Sequence, residues 1–194
     1  TDPRDLTVAR ADKEGTAASE PVVRGLARAE VRVGGGVLPG VDAGAAVAVG
    51  LAHRWFRVEL LGAAWLPRDR TIAPNAQLDL QLFTGQLRGC AVVPVPSLPW
   101  LEPLPCAGIE VGAMRGQGQG QGLEQGRVAL QPWVAVTVTP ALAIMPWRRL
   151  GFIVGGTLVV PVQRPTFVLS GTQEVYRVSA AAGRGFAGVE LRFP

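Results

Sequence analysis

The sequence contains few of the residues from which catalytic and metal sites are usually built. Among 194 residues it has one histidine, His53, and two cysteines, Cys90 and Cys106. Nucleophilic catalysis needs a base beside a nucleophile, and no serine lies near His53 in the sequence. The cysteines form no CxxC motif, and one histidine provides no cluster of metal ligands. We therefore predict a protein that is not an enzyme and that carries no metal or cofactor.

Charge is also scarce, and lysine is almost missing. Charged residues make up 18% of the chain, the net charge is +4, and Lys13 is the only lysine. The arginines alternate singly with apolar residues, as in VVRGLARAEVRV. Nucleic-acid-binding proteins instead gather basic residues into a patch with stacking aromatic side chains. The sequence therefore predicts no nucleic-acid partner.

The uncharged stretch from residue 128 to 147 is long enough for a transmembrane helix, which needs about 20 apolar residues. Three prolines and many β-branched residues within it favour strands and a turn instead. The whole chain is 48% hydrophobic, with 25 glycines and 16 prolines. Such a composition is apolar for a soluble domain and too rich in glycine and proline for a helical bundle.

Alternation of apolar and polar residues organises most of the chain. Residues 1–20 are polar and aperiodic, which predicts a flexible polar N-terminal tail. Residues 21–194 contain eight alternating segments, at residues 23–33, 45–53, 56–65, 77–89, 107–115, 127–138, 150–162 and 184–193. Segments of about ten residues are typical of membrane-spanning strands, and an even number of strands closes without a free edge. We predict an all-β fold, a closed antiparallel up-and-down transmembrane β-barrel of eight strands.

The charged residues of these segments share one face of each strand. We predict that they point into the barrel and pair with one another there. This lumen charge network comprises Arg24, Arg28, Glu30, Arg32, Arg57, Glu59, Asp79, Glu110, Arg184, Glu190 and Arg192. The opposite faces are apolar, as lipid requires, since an arginine at mid-membrane costs about 2–4 kcal/mol. A soluble barrel with the reverse orientation is the alternative.

Aromatic residues and connections add to this prediction. With both termini taken as periplasmic, Trp55, Phe56, Trp147 and Phe193 fall at the periplasmic ends of strands, and Trp65, Phe167 and Tyr176 near the opposite rim, as interfacial girdles do. A disulfide between Cys90 and Cys106 is expected to staple a loop in an oxidising compartment, the alternative being two unpaired thiols. The Gly-Gln tract at residues 116–122 predicts a flexible loop, the alternative being a pliable contact element, and residues 163–182 predict a long surface loop.

The last segment, GVELRF at residues 188–193, resembles the C-terminal signature of bacterial outer-membrane barrels. This resemblance implies that Val189, Leu191 and Phe193 form the face recognised by the barrel assembly machinery; Pro194 departs from the usual terminal aromatic residue. Residues 21–193 as a whole are similar to small eight-stranded barrels of the OmpA or OmpX type. The resemblance implies an outer-membrane location in a Gram-negative bacterium, with membrane lipid around the barrel.

The predicted function is a non-enzymatic structural protein with a salt-bridged, closed lumen, which anchors surface loops or belongs to a larger envelope or surface assembly. Protein partners would bind the extracellular loops, residues 163–182 first, or the periplasmic tail. One alternative is a narrow pore or small-ligand transporter, since small residues such as Ala46, Ala48, Gly50 and Gly112 leave space in the lumen. A further alternative is an outer-membrane lipid-modifying enzyme that uses His53.

Overall fold

The computed structural model describes residues 23–73, 76–120, 128–163, 166–169 and 173–194, so the predicted tail at residues 1–20 lies outside it. The described residues form eleven strands and no helix. The strands are β1 (Val23–Gly35), β2 (Val41–His53), β3 (Phe56–Trp65), β4 (Arg68–Ala73), β5 (Ala76–Ala91), β6 (Leu101–Gly120), β7 (Val128–Ile144), β8 (Leu150–Pro161), β9 (Thr166–Leu169), β10 (Gln173–Arg177) and β11 (Ala182–Phe193). Among these residues no helix is long and apolar enough to cross a membrane.

Eight of the described strands close into an antiparallel barrel. Its order is β1-β2-β3-β5-β6-β7-β8-β11, and β11 pairs with β1 to complete the ring. β4 continues β3 beyond Pro67 and pairs with the extended part of β5. β9 and β10 form a separate two-stranded hairpin. The prediction of an eight-stranded all-β barrel is confirmed.

The register of the strands defines their tilt. Paired residues can be followed around the ring from Gly25 of β1, and the path returns to β1 at Gly35, ten residues further along. It passes through Leu51, Val58, Gly89, Ala107, Val138, Leu158 and Gly183. A stagger of this size in an eight-stranded barrel tilts the strands by about 45° from the barrel axis. We call the end where β1 begins and β11 ends the near mouth, and the opposite end the far mouth.

The two faces of the barrel wall differ as the alternation predicts. In β3, Arg57 and Glu59 are buried in the lumen, whereas Val58 and Leu60 are 44% and 58% exposed on the outside. Outward valines and leucines repeat this exposure around the barrel, for example Val47 and Val136. The apolar outside and ionic inside therefore follow from one period-two pattern.

Several strand boundaries differ from the prediction. β7 runs through Pro140 to Ile144, so only residues 145–149 connect it to β8, and the predicted turn before residue 145 is wrong. The β7–β8 pairing is interrupted beside Pro140, which has no N–H to donate. β6 begins at Leu101, which leaves residues 92–100 as the loop between β5 and β6. Residues 116–120 of the Gly-Gln tract pair with β5 rather than forming a loop, and residues 121–122 lie outside the described residues.

Candidate functional site

The lumen holds the densest group of charged side chains in the described barrel, and Glu59 lies at its centre. The Glu59 carboxylate accepts hydrogen bonds from Arg28 at 2.8 and 3.2 Å and from Arg88 at 2.7 Å. Arg57 lies 3.1 Å from its other oxygen. These guanidinium groups come from β1, β5 and β3, so one carboxylate links three strands. All four residues are at most 3% exposed.

Glu30 extends the network towards the far mouth. Its two carboxylate oxygens accept hydrogen bonds from Arg28 Nε at 2.9 Å and from Arg32 Nε at 2.6 Å. The three residues alternate along β1 with exposed apolar neighbours, so they project from one face of the strand. Arg28 thus bridges two carboxylates, and such sharing satisfies charges that would be costly to bury alone.

Glu190 of β11 carries the network to the near mouth. Arg57 donates to it at 2.5 Å, Arg28 lies 3.6 Å away, and Arg192 Nε donates at 2.9 Å. Arg192 also forms a bidentate pair with Glu102 of β6, at 2.6 and 2.8 Å. This last pair is partly exposed, since the two side chains are 11% and 21% accessible. The ionic chain therefore ends at the solvent-accessible side of the near mouth.

A second, separate ion pair lies in the lumen closer to the far mouth. Arg184 donates to both oxygens of Glu110, at 2.7 and 3.0 Å, and Trp133 Nε1 donates to the same carboxylate at 2.7 Å. The Arg184 guanidinium also lies 4.3 Å from the centre of the Trp65 ring, within the range of a cation–π contact. Fully buried Asp42 lies beside Arg184 near the far mouth.

Small residues opposite the long charged side chains make room for them. Gly50 pairs with Glu59, Gly108 with Arg88 and Gly188 with Glu30. A Cβ atom on Gly108 would clash with the Leu87 carbonyl oxygen and would lie 2.7 Å from Arg88 Cβ, and one on Gly188 would clash with the Ala29 carbonyl oxygen and would lie 2.7 Å from Glu30 Cβ. The backbone of the neighbouring strand and the base of the charged side chain therefore leave no room for a side chain at these positions.

The small residues that the pore alternative depends on have similar surroundings. Ala46 and Ala48 are buried opposite Glu30 and Arg28. A Cβ atom on Gly112 would clash with the Phe83 carbonyl oxygen and would lie 2.9 Å from the Cα atom of Thr84. The space expected beside these residues is occupied.

Apolar side chains fill the far mouth. The loop between β1 and β2 places Val37 and Leu38 inside the barrel, at 0% and 2% exposure. They belong to a buried apolar cluster, which we call the far-mouth cluster: Val37, Leu38, Trp65, Leu80, Leu82, Met114, Trp133, Ala135, Val159, Val178 and Ala182. Glycines at positive φ, Gly36 and Gly40, flank the inward segment and permit its sharp turns. The lumen is therefore closed by apolar side chains at the far mouth and by ion pairs towards the near mouth.

Ten of the eleven residues of the predicted charge network face the lumen, and they fall into three groups. Seven of its members lie in the Glu59-centred network: Arg28, Glu30, Arg32, Arg57, Glu59, Glu190 and Arg192. Glu110 and Arg184 form the separate upper pair. Arg24 is half-buried, in phase with lumen-facing Leu26 and Arg28 near the near mouth.

Asp79 is the member that the structure contradicts. It lies in the outward phase of β5, with exposed Phe83, because Leu80 and Leu82 turn inward into the far-mouth cluster. The same error of phase hides Arg88, the direct partner of Glu59, from the sequence pattern. Glu102 is missing from the predicted network because β6 begins earlier than predicted.

The residues of the predicted aromatic girdle are exposed at the near mouth, but Trp65 is not exposed at the far rim. Trp55, Phe56, Trp147 and Phe193 are all about half exposed, between 47% and 57%. Trp65, predicted at the far rim, is instead buried in the lumen, because it belongs to the inward phase of β3. The side chains of Phe167 and Tyr176 lie outside the described residues.

The predicted disulfide is confirmed, and it joins the two strands on either side of the loop at residues 92–100. Cys90 and Cys106 are directly paired residues of β5 and β6, with Cα atoms 4.0 Å apart. Both are inward-facing and at most 5% exposed, in a second apolar cluster. This cluster, which we call the disulfide cluster, comprises Cys90, Leu104, Cys106, Ala143, Ile153 and Phe186.

The structure also shows the surroundings of the remaining candidate residues. Val189, Leu191 and Phe193 are 43–47% exposed on the outer face of β11, whose two edges pair with β1 and β8. His53 stacks on Phe56, with ring centres 5.0 Å apart, at the β2–β3 turn. Within the described residues no three His, Cys, Asp or Glu side chains are grouped so as to hold a metal.

Comparison with solved structures identifies the same architecture elsewhere. Neisserial surface protein A matches 89% of this chain and 98% of its own, with a TM-score of 0.58 and 12% identity. A major outer membrane protein of Thermus thermophilus matches 86% and 99%, with a TM-score of 0.56 and 13% identity. Ail, the attachment invasion locus protein of Yersinia pestis, matches 88% and 98%, with a TM-score of 0.51 and 9% identity. No family model and no curated protein matches the sequence.

Closed topology, an apolar outer surface and a salt-bridged lumen define a transmembrane β-barrel. More narrowly, the chain has the fold of the small eight-stranded outer-membrane barrels, as the resemblance of residues 21–193 implied. The predicted outer-membrane location agrees with this fold and with the apolar outer surface.

Proposed function

We propose that the protein is a non-enzymatic barrel of the bacterial outer membrane, which anchors an interaction surface outside the cell and does not conduct. The filling of the lumen carries this proposal. Along the barrel axis, an ion would meet the Arg192–Glu102 pair, the Glu59-centred network and then the far-mouth cluster. Each layer is packed or paired, so the barrel serves as an anchor rather than a pore.

The exposed surface at the far mouth is the proposed site of contact with partners. β9 and β10 pair only with each other in the described sheets, so they form a hairpin that leaves the barrel wall. Val178, directly after β10, is buried in the far-mouth cluster, so it anchors the end of β10 to the barrel. Rigid scaffolds commonly present binding residues on such loops. The name of Ail, an attachment protein with the same fold, is in keeping with this role.

Two further elements of the proposal concern the near mouth. The outward face of β11, with Val189, Leu191 and Phe193, would be read by the barrel assembly machinery before the barrel closes. The near mouth would lie in the periplasm, where the polar tail could dock on a larger envelope assembly. Trp55 and Trp147 would then lie at the inner membrane interface, where aromatic rings are favoured.

Planar-bilayer recording tests the closed lumen. The purified, folded protein is expected to give no steady ion conductance, because three filled layers block the path. Steady single-channel steps from the natural sequence would contradict the anchor role and favour the pore.

Labelling of intact cells tests the orientation. Ser179 follows the β9–β10 hairpin and is exposed, and Arg54 is exposed at the β2–β3 turn. A membrane-impermeant maleimide is expected to label a Ser179→Cys variant on intact cells. An Arg54→Cys variant should react only after the outer membrane is permeabilised. The reverse result would place the hairpin in the periplasm and remove the proposed contact surface.

A further inference from the structure

The position of the disulfide inside the lumen has a consequence for the order of events during assembly. Cys90 and Cys106 both face inward and are 4% and 5% exposed. Arg57, paired with Cys90 across β3–β5, is 1% exposed, and Thr139, paired with Cys106 across β6–β7, is also 1% exposed. The sulfur atoms are therefore enclosed by side chains of neighbouring strands as well as by their own.

Disulfide formation requires more room than this enclosure leaves. One cysteine thiolate attacks the disulfide of an oxidant and forms a mixed disulfide, which releases one of the oxidant's sulfurs as a thiol. The second cysteine thiolate then attacks the sulfur of the first and releases the other oxidant thiol. Two protein thiols are oxidised and one oxidant disulfide is reduced to a dithiol. The mixed disulfide would have to fit among Leu104, Ile153 and Phe186, which already fill that part of the lumen.

The near mouth offers no wider route. The Arg192–Glu102 pair spans β11 and β6 there, and the Arg57–Glu190 pair lies beside it. Loop residues 92–100 are also tied to the wall, by the bonds from Val92 N to Trp55 O and from Val93 N to Pro103 O. A protein oxidant cannot reach either sulfur without parting several strands.

The hairpin itself can place the cysteines together early. They are 16 residues apart in sequence, and their strands β5 and β6 are consecutive in the chain and in the sheet. Contacts this local form before distant ones, because they close a short loop. An isolated hairpin is only marginally stable in water, so a covalent link at one pair would hold its register.

We propose that Cys90 and Cys106 are oxidised by a periplasmic thiol–disulfide oxidant before the barrel closes, and that closure then fixes their redox state. The β5–β6 hairpin thus reaches the assembly step already cross-linked. The oxidant is a disulfide-bearing oxidoreductase of the compartment, and its dithiol is the second product. The inference depends on the burial of the sulfurs and not on the proposed surface role of the barrel.

Reduction of the folded protein tests the proposal directly. The full chain is folded with its disulfide into lipid vesicles and treated with dithiothreitol, and thiols are then counted with a polyethylene-glycol maleimide in denaturant. Reduction in the folded barrel is expected to be at least about 100-fold slower than in urea, because the bond is exposed only when strands part. Val93 and Pro103 offer a control pair three residues towards the near mouth, where Val93 N donates to Pro103 O, Val93 is 44% exposed and Pro103 is half-buried. In a Cys90→Ser/Cys106→Ser background, a Val93→Cys/Pro103→Cys pair should be reduced readily in the folded barrel.

The reverse reaction completes the test. The natural chain is folded in reduced form and then exposed to oxidised glutathione; its thiols should remain free while those of the control pair become oxidised. Folding of the reduced chain is judged by gel electrophoresis, in which a folded barrel migrates differently before and after heating. A reduced chain that shows no such difference has not folded, and this result would equally support oxidation before closure. Rapid reduction or oxidation of Cys90 and Cys106 within the folded barrel, at the rate of the control pair, would overturn the proposal.

Discussion

The inner and outer faces of the barrel wall obey opposite rules, although they are built from neighbouring residues of the same strands. On β3, Glu59 is fully buried among three arginines, and the next residue, Leu60, is 58% exposed on the outside. Inside, a charge is tolerated because its partners are fixed around it. Outside, nothing can pair with a charge, and apolar side chains dominate the middle of the described wall. The stability of the barrel therefore depends on pairing at one face and on the exclusion of charge at the other.

The largest loss of stability is expected from a substitution at the centre of the inner face. A Glu59→Ala substitution removes the partner that Arg28, Arg57 and Arg88 share, and Glu30 and Glu190 compensate only the first two. Breaking a buried pair in this way should lower the free energy of unfolding by about 3–5 kcal/mol. Urea titration of the protein in lipid vesicles, followed by tryptophan fluorescence, measures the loss.

Glu102→Ala is the matched control for this substitution. Glu102 also forms a bidentate pair, but its side chain is 21% accessible at the near mouth. Water can replace the lost carboxylate there, so the expected loss is about 1 kcal/mol or less. Equal losses for the two variants would show that burial does not set the value of these pairs.

The outer face should respond to charge according to depth. Val49 lies outward near the middle of β2 and is 57% exposed. A Val49→Arg substitution should cost about 2–4 kcal/mol in a bilayer, because the guanidinium meets hydrocarbon without a partner. Val41, at the start of the same strand and 71% exposed, provides the depth control. A Val41→Arg substitution should cost about 0–1 kcal/mol in the same urea titration. If the two arginines lower the free energy of unfolding equally, Val49 does not lie deeper in the hydrocarbon than Val41, and the proposed position of the barrel in the bilayer is wrong.

The sequence pattern reveals the two faces only where they differ in polarity. Arg57, Glu59 and Glu190 can be recognised because each lies between apolar neighbours, so period-two alternation marks them. The rule fails on β5 near the far mouth. There the lumen is itself apolar, and Leu80 and Leu82 turn inward while Asp79 turns out. A rule that sends apolar residues outward must assign this stretch to the wrong face.

Other features depend on contacts that no single segment contains. The inward turn of Val37 and Leu38 requires the partners contributed by β3, β5, β6, β7 and β8. The placement of Cys90 and Cys106 inside the lumen depends on where β6 begins, and the prolines at 103 and 105 argue locally against a strand there. Both prolines nevertheless lie in β6, paired with β7. Pairing with β7 therefore overrides the local preference of these prolines, and this is why the predicted start of β6 is wrong.

The smallest expected effect comes from adding one methyl group to each face of the same hairpin. Gly108 of β6 faces inward opposite Arg88, and a Cβ atom there would clash with the Leu87 carbonyl oxygen and would lie 2.9 Å from Arg88 Cα. Gly89 of β5 faces outward, and a Cβ atom there would meet nothing within 4 Å. Gly108→Ala should therefore destabilise the barrel by about 1–3 kcal/mol, since the backbone at Leu87 and Arg88 must move. Gly89→Ala should stabilise it by about 0.5–1 kcal/mol, because alanine loses less conformational freedom in a strand. Opposite signs in the urea titration are expected, and a shared sign would mean that the lumen has room for the methyl group beside Arg88.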